Sequence, residues 1–343
     1  MRPINYSFQT GYFIGSLPTG CRYCILGAKI VVFITGLCDD NCWYCPISRS
    51  KYGRDVIFVD EVRVKNIEED IVLEAYRINA KGAGITGGDP ILVLDRTCNV
   101  IRTLKSEFGD NFHIHLYTSG RYVDKHVIEN LESSGLDEIR FHLYDKSLVD
   151  RIEIALDSAI EVGVEVPFIP LEHYVEYLKQ LILLLDDMGV KFININEFEV
   201  SESNIDQVIL HGLTPSGLSI SNIKEKAIDF LEWASKNTRN ISIHYCTVEF
   251  KDNVQFRRRI LRKSVNTMGL YEAVTRDGTL ISIEVLGDKD IVSGLKESIV
   301  EYNGKHYLIP TEVACLLGRG VKAIVREYYP DREEILNERQ IMY

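Results

Sequence analysis

The stretch Cys38-Asp39-Asp40-Asn41-Cys42-Trp43-Tyr44-Cys45 decides what this chain can fold around. It comes directly after the apolar run at 30–35, so its three thiols lie on a loop that follows a predicted first strand. A turning loop brings near neighbours to one side, where soft thiolates select zinc, copper(I) or an iron–sulfur cluster. Structural zinc takes four protein ligands, so three thiols leave one position open, and an open position suggests chemistry. A plain zinc site and unliganded core cysteines are the alternatives.

The composition is that of a globular protein, and its net negative charge disfavours binding of nucleic acid over a broad surface. The chain has 343 residues, 45% hydrophobic and 26% charged, and a formal net charge of -11. Neither a run of eighteen apolar residues nor a secretory signal is visible, so we expect no membrane association. Five of the eight cysteines fall between 21 and 45. In a chain of this size such crowding predicts metal binding in a reducing cytoplasm.

A βα alternation begins at residue 29. Short apolar runs predict strands at 30–35, 84–86, 112–117, 138–143, 164–169 and 192–196. Helical periodicity predicts helices near 66–79, 96–107, 123–134, 147–161 and 173–187, and a weaker unit pairs a helix at 222–237 with a strand at 241–245. Such alternation favours parallel strands wrapped by helices. The expected fold is α/β, an incomplete (β/α)6 TIM-type barrel.

The expected domains are an N-terminal segment at 1–28, the partial barrel at 29–264 and a small α+β domain at 265–343. In the last, runs at 270–275 and 280–285 around Asp277-Gly278 predict a hairpin. A second hairpin is expected around 302–305, followed by a helix from Thr311 and a strand at 321–328. The segment 201–221 is long for a connection and could be a lid.

The cysteine motif, with an aromatic residue just before its last cysteine, resembles that of the radical S-adenosylmethionine (SAM) superfamily. Within it, the chain looks like relatives of pyruvate formate-lyase activating enzymes. The resemblance implies a 4Fe-4S cluster on Cys38, Cys42 and Cys45, with the amino and carboxylate groups of SAM on the fourth iron. It implies an oxidoreductase or activase that cleaves SAM reductively to a 5'-deoxyadenosyl radical, which abstracts hydrogen from an unidentified substrate. A reductant such as ferredoxin or flavodoxin would be a partner.

Residues at the carboxyl ends of the predicted strands are candidates for the SAM site, because barrel sites lie there. Gly87-Gly88-Asp89 resembles the GGEP motif that holds the amino group of SAM, with Asp in place of Glu. Thr118-Ser119-Gly120 resembles the TNG turn of activating enzymes. Alternation places His113, His115 and Tyr117 on one face, and Arg140, His142 and Tyr144 on another, which predicts a polar barrel interior. The cofactor-binding candidates are Trp43, Tyr44, Gly87, Gly88, Asp89, Ser119, His142, Asn196 and Glu197.

Three further thiols could form a second site. Cys21 and Cys24 form a CxxC pair, and Cys246 ends a predicted strand, so an auxiliary iron–sulfur cluster or a zinc ion is a candidate. Cys24 precedes the first strand closely, which argues for a place at the opposite end of the barrel. Cys98 and Cys315 are interpreted as packed thiols.

The substrate stays open at this point. The resemblance favours a glycyl-radical activase, whereas the basic segment 251–263 would suit an RNA-modifying enzyme or an anion site, although a solvated helix face is the ordinary reading. A small metabolite is equally open. From another class, the chain could be a non-catalytic iron–sulfur protein.

Overall fold

The computed structural model describes residues 1–143, 146–287, 289–293, 295 and 300–343. Tyr144, expected on the polar face of the fourth strand, lies outside the described residues. The chain forms two compact units. Unit 1 comprises Met1–Tyr76 and Ala80–Gln255, and unit 2 comprises Arg77–Asn79 and Phe256–Tyr343. The three-part division at 1–28, 29–264 and 265–343 stays a prediction.

One large sheet organises unit 1. Its order is β1-β2-β13-β10-β9-β8-β7-β6-β3-β4-β5, and the run from β3 to β13 is parallel throughout. The bounds are β1 Ile4–Ser7, β2 Gly11–Ile14, β3 Lys29–Phe33, β4 Phe58–Val59, β5 Val62–Arg63, β6 Gly82–Thr86, β7 His113–Thr118, β8 Glu138–Phe141, β9 Glu161–Phe168, β10 Phe192–Glu197, β11 Pro215–Ser216, β12 Ser219–Ile220 and β13 Ser242–Cys246.

The open partial barrel is confirmed, with seven parallel strands. Six correspond to the expected units, and the seventh is the weakly predicted strand, β13. Within the described part of the chain the sheet ends at β1 and β5, so it does not close. Apolar residues that alternate along the strands form its core. Val164, Val166 and Phe168 of β9, for example, are at most 1% exposed.

Helices connect the strands much as the periodicity predicts. The bounds are α1 Thr19–Ile25, α2 Ile67–Arg77, α3 Leu94–Phe108, α4 Lys125–Ser134, α5 Val149–Leu156, α6 Glu172–Met188, α7 Ile205–Leu210, α8 Ile223–Asn237 and α9 Val248–Phe250, followed by a π-helical stretch at Lys251–Phe256. In α4, the Asp124 carboxylate accepts a hydrogen bond from Val127 N at 2.8 Å, and Gly135 ends the helix at a φ of 96°. The helix expected at 147–161 ends at Leu156 because β9 begins at Glu161.

The N-terminal segment has more structure than its sequence suggests. Strands β1 and β2 form an antiparallel hairpin, and β2 pairs with β13. Helix α1 then carries the CxxC pair. The segment 201–221, expected as a lid, contains α7 and the short β11–β12 hairpin.

Unit 2 is a six-stranded antiparallel sheet with one helix before it. The order is β16-β17-β15-β18-β19, with β14 paired to β15. Both expected hairpins are confirmed, and the helix expected from Thr311 is a 3-10 helix that ends at Leu316. The last strand was not predicted. The bounds are α10 Arg257–Thr267, β14 Glu272–Val274, β15 Leu280–Leu286, β16 Glu301–Tyr302, β17 Tyr307–Ile309, β18 Lys322–Tyr328 and β19 Ile335–Met342.

Candidate active site

The cluster loop, residues 38–45, follows β3 at the carboxyl edge of the parallel strands. Its three thiols are free and half-buried, and Cys45 N donates a hydrogen bond to Cys42 O at 3.0 Å, which turns the chain. Burial raises the pKa of Cys38 and of Cys42 to about 11, and the neighbouring thiols of the loop add to both increases. The three sulfurs are therefore close enough to interact electrostatically.

Three free thiols on one loop are a donor set that a 4Fe-4S cluster uses. Within the described residues, no group of three or more His, Cys, Asp and Glu side chains is placed to hold one metal ion. In a 4Fe-4S cluster each thiolate binds a different iron, so the sulfurs stand apart. The donor chemistry, three free thiols on one loop, fits such a cluster.

The glycine pair after β6 packs on residues 35–37, which lead from β3 into the cluster loop. Gly88 N donates to Thr35 O, and Asp89 N donates to Leu37 O, both at 2.7 Å. A Cβ on Gly88 would lie 1.9 Å from Leu37 O, and one on Gly87, whose φ is +150°, would lie 2.2 Å from Thr35 O. The two backbones meet so closely that only glycine fits, which explains the pair without a ligand as well as with one.

Asp89 joins two strand ends instead of facing open space. Its buried carboxylate accepts hydrogen bonds from Ser119 Oγ at 2.7 Å, Thr118 Oγ1 at 2.9 Å and Ile91 N at 3.0 Å. Burial raises the pKa of Asp89, and these donors counteract that rise. Asp89 and Ser119 are thus brought together, as partners of each other. Their contact with SAM stays a prediction.

Arg121, a residue that the sequence did not single out, holds the cluster loop from the end of β7. Arg121, which follows β7, donates from Nη2 to Asp40 Oδ1 at 2.5 Å and from Nε at 3.0 Å. Asp40 is 6% exposed, and its carbonyl accepts from Tyr52 OH at 3.0 Å. A carboxylate between two of the motif cysteines was the available signal, but its partner lies 81 residues away.

The aromatic residues of the loop are covered by the segment 201–221. The Trp43 ring stacks on His211, with centroids 3.9 Å apart and planes 11° apart. Asn204 Nδ2 donates to Tyr44 O at 3.0 Å, while Tyr44 OH lies 3.0 Å from His142 Nε2. His142 Nδ1 lies 3.0 Å from Glu165 O, so His142 links Tyr44 to β9. Burial lowers the pKa of His142, which favours its neutral form.

The predicted polar interior is confirmed, and its groups are paired with one another. Arg140, 2% exposed, binds Glu138 at 2.5 Å and Glu165 at 2.7 Å. His115 Nε2 lies 3.0 Å from Lys29 Nζ. Such mutual pairing is the ordinary interpretation of buried histidines and arginines, although His115 Nδ1 and Asn194 Oδ1 have no hydrogen-bond partner among the described residues.

Glu165, which the sequence did not single out, receives several of the donors. Besides Arg140, it accepts from Asn194 Nδ2 and Asn196 Nδ2, each at 2.9 Å. Burial alone would raise the pKa of Glu165, but Arg140 and the two amides lower it to about 2. Asn196 is thus committed to Glu165, and Glu197 Oε2 accepts from Val248 N at 3.1 Å. A role for either in binding SAM stays a prediction.

The sequence matches one protein-family model and one named relative. The Radical SAM superfamily model matches residues 32–196, from within β3 to within β10. A protein of Methanocaldococcus jannaschii named "Putative glycyl-radical enzyme activating enzyme MJ0021" is 35% identical over 316 residues, which cover 88% of this chain and 82% of that protein.

The chain belongs to the radical SAM superfamily.

Among solved structures, Streptococcus suis SuiB is similar with a TM-score of 0.45 and 11% identity, over 68% of this chain and 56% of that one. The structure of anSMEcpe with bound AdoMet is similar with a TM-score of 0.42 and 14% identity, over 73% and 72%. The match to SuiB thus spans little more than half of that protein, and similarity at this level says nothing about activity. The superfamily uses a 4Fe-4S cluster and SAM, so this chain is a radical SAM enzyme with those cofactors.

The CxxC pair of this radical SAM enzyme lies inside unit 1. Cys21 is buried, and its Sγ accepts from Asn194 Nδ2 at 3.2 Å and lies 3.7 Å from Arg140 Nη2. Burial raises the pKa of Cys246, and the nearby Cys21 and Cys24 thiols raise it further. The three thiols expected to share a second site are therefore neighbours. Cys98 is buried in α3, as interpreted, whereas Cys315 is exposed.

The basic segment begins in unit 1, and the part from Phe256 onwards is held by contacts within unit 2. Arg257 Nη2 donates to Arg276 O at 2.6 Å, and Arg262 donates to Ile78 O at 2.8 Å. Lys263 is 7% exposed, so the expected solvated face is partly buried. No helix in the described residues has the length and apolar character needed to cross a membrane.

Proposed function

We propose that this protein reductively cleaves SAM at a 4Fe-4S cluster held by Cys38, Cys42 and Cys45, and that it abstracts hydrogen from a substrate. The observation that carries the proposal is the group of three free thiols on one loop at the carboxyl edge of the sheet, where barrel enzymes act. The superfamily match covers this loop and the glycine pair beside it.

The protein chain itself positions the cluster loop and shields it from water. The three cysteines hold irons, and the hydrogen bonds from Gly88 N and Asp89 N fix the backbone that leads to Cys38. Arg121 holds the middle of the loop through Asp40. When bound, the cluster and SAM supply hydrogen-atom abstraction, driven by reductive cleavage of a carbon–sulfur bond of the sulfonium.

The segment 201–221 excludes water from part of the cluster loop. The exposed His211 covers one face of the half-buried Trp43, and Asn204 holds the carbonyl of Tyr44, which is buried. A dry site protects reactive species from side reactions. The lid expected at 201–221 is retained in this form, as a cover fastened to the cluster loop.

A protein substrate is the first class to test. The relative's name refers to activation of a glycyl-radical enzyme, which would make the substrate a glycine residue of a partner protein. The RNA alternative is less well supported, since Arg257 and Arg262 donate to main-chain carbonyls of this chain. We further propose an external one-electron donor such as ferredoxin or flavodoxin, and a cytoplasmic location, which suits eight free cysteines.

The test of cleavage uses anaerobically reconstituted protein with dithionite and SAM, and it measures 5'-deoxyadenosine. We expect product from wild type and from Cys98→Ala, a matched loss of a buried thiol away from the loop, and none from Cys42→Ala. Product from Cys42→Ala at the wild-type rate would refute the proposal. Equilibrium binding of SAM to wild type separates an enzyme from a non-catalytic iron–sulfur protein, which would bind none.

The substrate class is tested by electron paramagnetic resonance. A candidate glycyl-radical enzyme incubated with the protein, SAM and reductant should develop the doublet of a glycyl radical. A partner variant with alanine at its radical glycine should not. Cleavage of SAM without any such signal would retain the radical SAM assignment and exclude activation of that partner.

A further inference from the structure

Four potential metal ligands outside the cluster loop lie on one helix and one strand of unit 1. They form the second donor group: Cys21, Cys24, His244 and Cys246. Cys21 and Cys24 are three residues apart on α1, so they share a helix face. His244 and Cys246 are two residues apart on β13, so they share a strand face.

Contacts bring the helix and the strand together. Ile25, next to Cys24, packs against the buried cluster that contains Cys246. Asn194, whose Nδ2 donates to Cys21 Sγ at 3.2 Å, is the register partner of His244 on the adjacent strand. Ile25 thus contacts the residues around Cys246, Cys21 contacts β10 beside β13, and the thiols of Cys21 and Cys24 both act electrostatically on Cys246.

His244 has an unpartnered ring nitrogen, as His113 and His115 also have, and shares a strand face with Cys246. It is 2% exposed, and its Nε2 donates to Thr10 O at 2.8 Å. The lone pair therefore lies on Nδ1, which has no hydrogen-bond partner among the described residues. A buried acceptor without a partner destabilises the fold unless a ligand satisfies it. Histidines that bind metals almost always donate their other N–H to a carbonyl or carboxylate, as His244 does to Thr10.

We propose that the second donor group binds an additional iron–sulfur cluster through the thiolates of Cys21, Cys24 and Cys246 and Nδ1 of His244. The donor set is three soft thiolates and one imidazole, which iron–sulfur clusters accept and which zinc also accepts, so the experiment below separates the two. The proposal goes beyond the cleavage of SAM and does not depend on it.

Iron, sulfide and zinc are measured in protein reconstituted anaerobically, in wild type and two triple-alanine variants. One variant lacks the three cysteines of the cluster loop, and the other lacks the three of the second donor group. We expect about 8 irons per chain in wild type and about 4 in each variant. Circular dichroism establishes that each variant is folded, and Cys98→Ala, which should keep about 8, controls for the loss of a buried thiol.

The two sites can fail separately. Wild type with about 4 irons, all lost in the cluster-loop variant, would refute the second site and leave the proposed function intact. About 4 irons that survive in the cluster-loop variant alone would support the second site and count against the first. One zinc per chain bound by the second group would also refute the iron–sulfur assignment.

The ligand role of His244 is tested in the cluster-loop variant, which isolates the second site. Pulsed electron paramagnetic resonance of the reduced cluster should show coupling to an imidazole nitrogen. His244→Cys should retain about 4 irons and lose that coupling. A spectrum without nitrogen coupling, or the same coupling in His244→Cys, would refute ligation by His244. If His244→Cys does not fold, ¹⁵N-histidine labelling of the unsubstituted His244 protein gives the same answer.

Discussion

Substitution of Gly88 by alanine probes the contact that places the cluster loop. The added Cβ would lie 1.9 Å from Leu37 O and 2.5 Å from Leu37 C, whereas real Cβ contacts stay beyond 3.0 Å. The backbone must therefore separate by about 1 Å, and the opposing atom is main chain that cannot rotate away. Overpacking of this kind costs about 1–3 kcal/mol, and weakening two 2.7 Å hydrogen bonds adds about 1 kcal/mol.

We expect the free energy of unfolding of unit 1 to fall by about 3 kcal/mol, which corresponds to a Tm roughly 6–12 °C lower for a unit of this size. Because Leu37 precedes Cys38, iron content after reconstitution should fall as well. Differential scanning calorimetry and iron analysis measure the two effects. Gly318→Ala is the matched control, since its Cβ would meet nothing within 4 Å. A Gly88→Ala protein with wild-type Tm and iron content would refute the reasoning.

Three further changes test the surroundings of the site. The folded state holds the pKa of Glu165 at about 2, so its charged form stabilises the fold by about 3 kcal/mol above pH 4.5, and this contribution is lost as the pH falls towards 2. Glu165→Gln should remove it, so the free energy of unfolding measured between pH 3 and 6 should depend less on pH than in wild type. Equal slopes would contradict the assignment. His211→Ala should expose Trp43, which should shift its fluorescence to longer wavelength and speed proteolysis within 201–221. An unchanged spectrum would argue against stacking of His211 on Trp43. Arg121→Ala should lower the free energy of unfolding by only about 1–2 kcal/mol, because the arginine is 40% exposed and water screens its pair with Asp40. It should also reduce the iron content, and full iron retention would show that the pair does not hold the loop.

The sequence predicts features that depend on near neighbours. The thiol spacing, the apolar strands and the Asp277-Gly278 turn are local, and each is where the pattern indicates. Strand β13 gives a weak signal because His244 is polar and faces inward, which interrupts its apolar run.

Long-range partners are what the sequence could not supply. The bonds of Asp89 to Thr118 and Ser119 join residues about 30 positions apart, and the bond from Asn194 to Cys21 spans 173 positions. Helix α1 is only seven residues long and contains a glycine, so tertiary contacts and not propensity must hold it. Sequence reasoning therefore located the thiols but not what surrounds them.

The pairing of β2 with β13 affects the order in which the protein can fold during synthesis. Ile14 pairs with Ile243, so β2 must wait for a strand that is made more than two hundred residues later. Until then an unsatisfied edge is exposed on the nascent chain, where it can pair with other chains. Rapid folding of unit 1 is thus possible only after the ribosome has released β13, and premature termination before that point should yield aggregation-prone fragments.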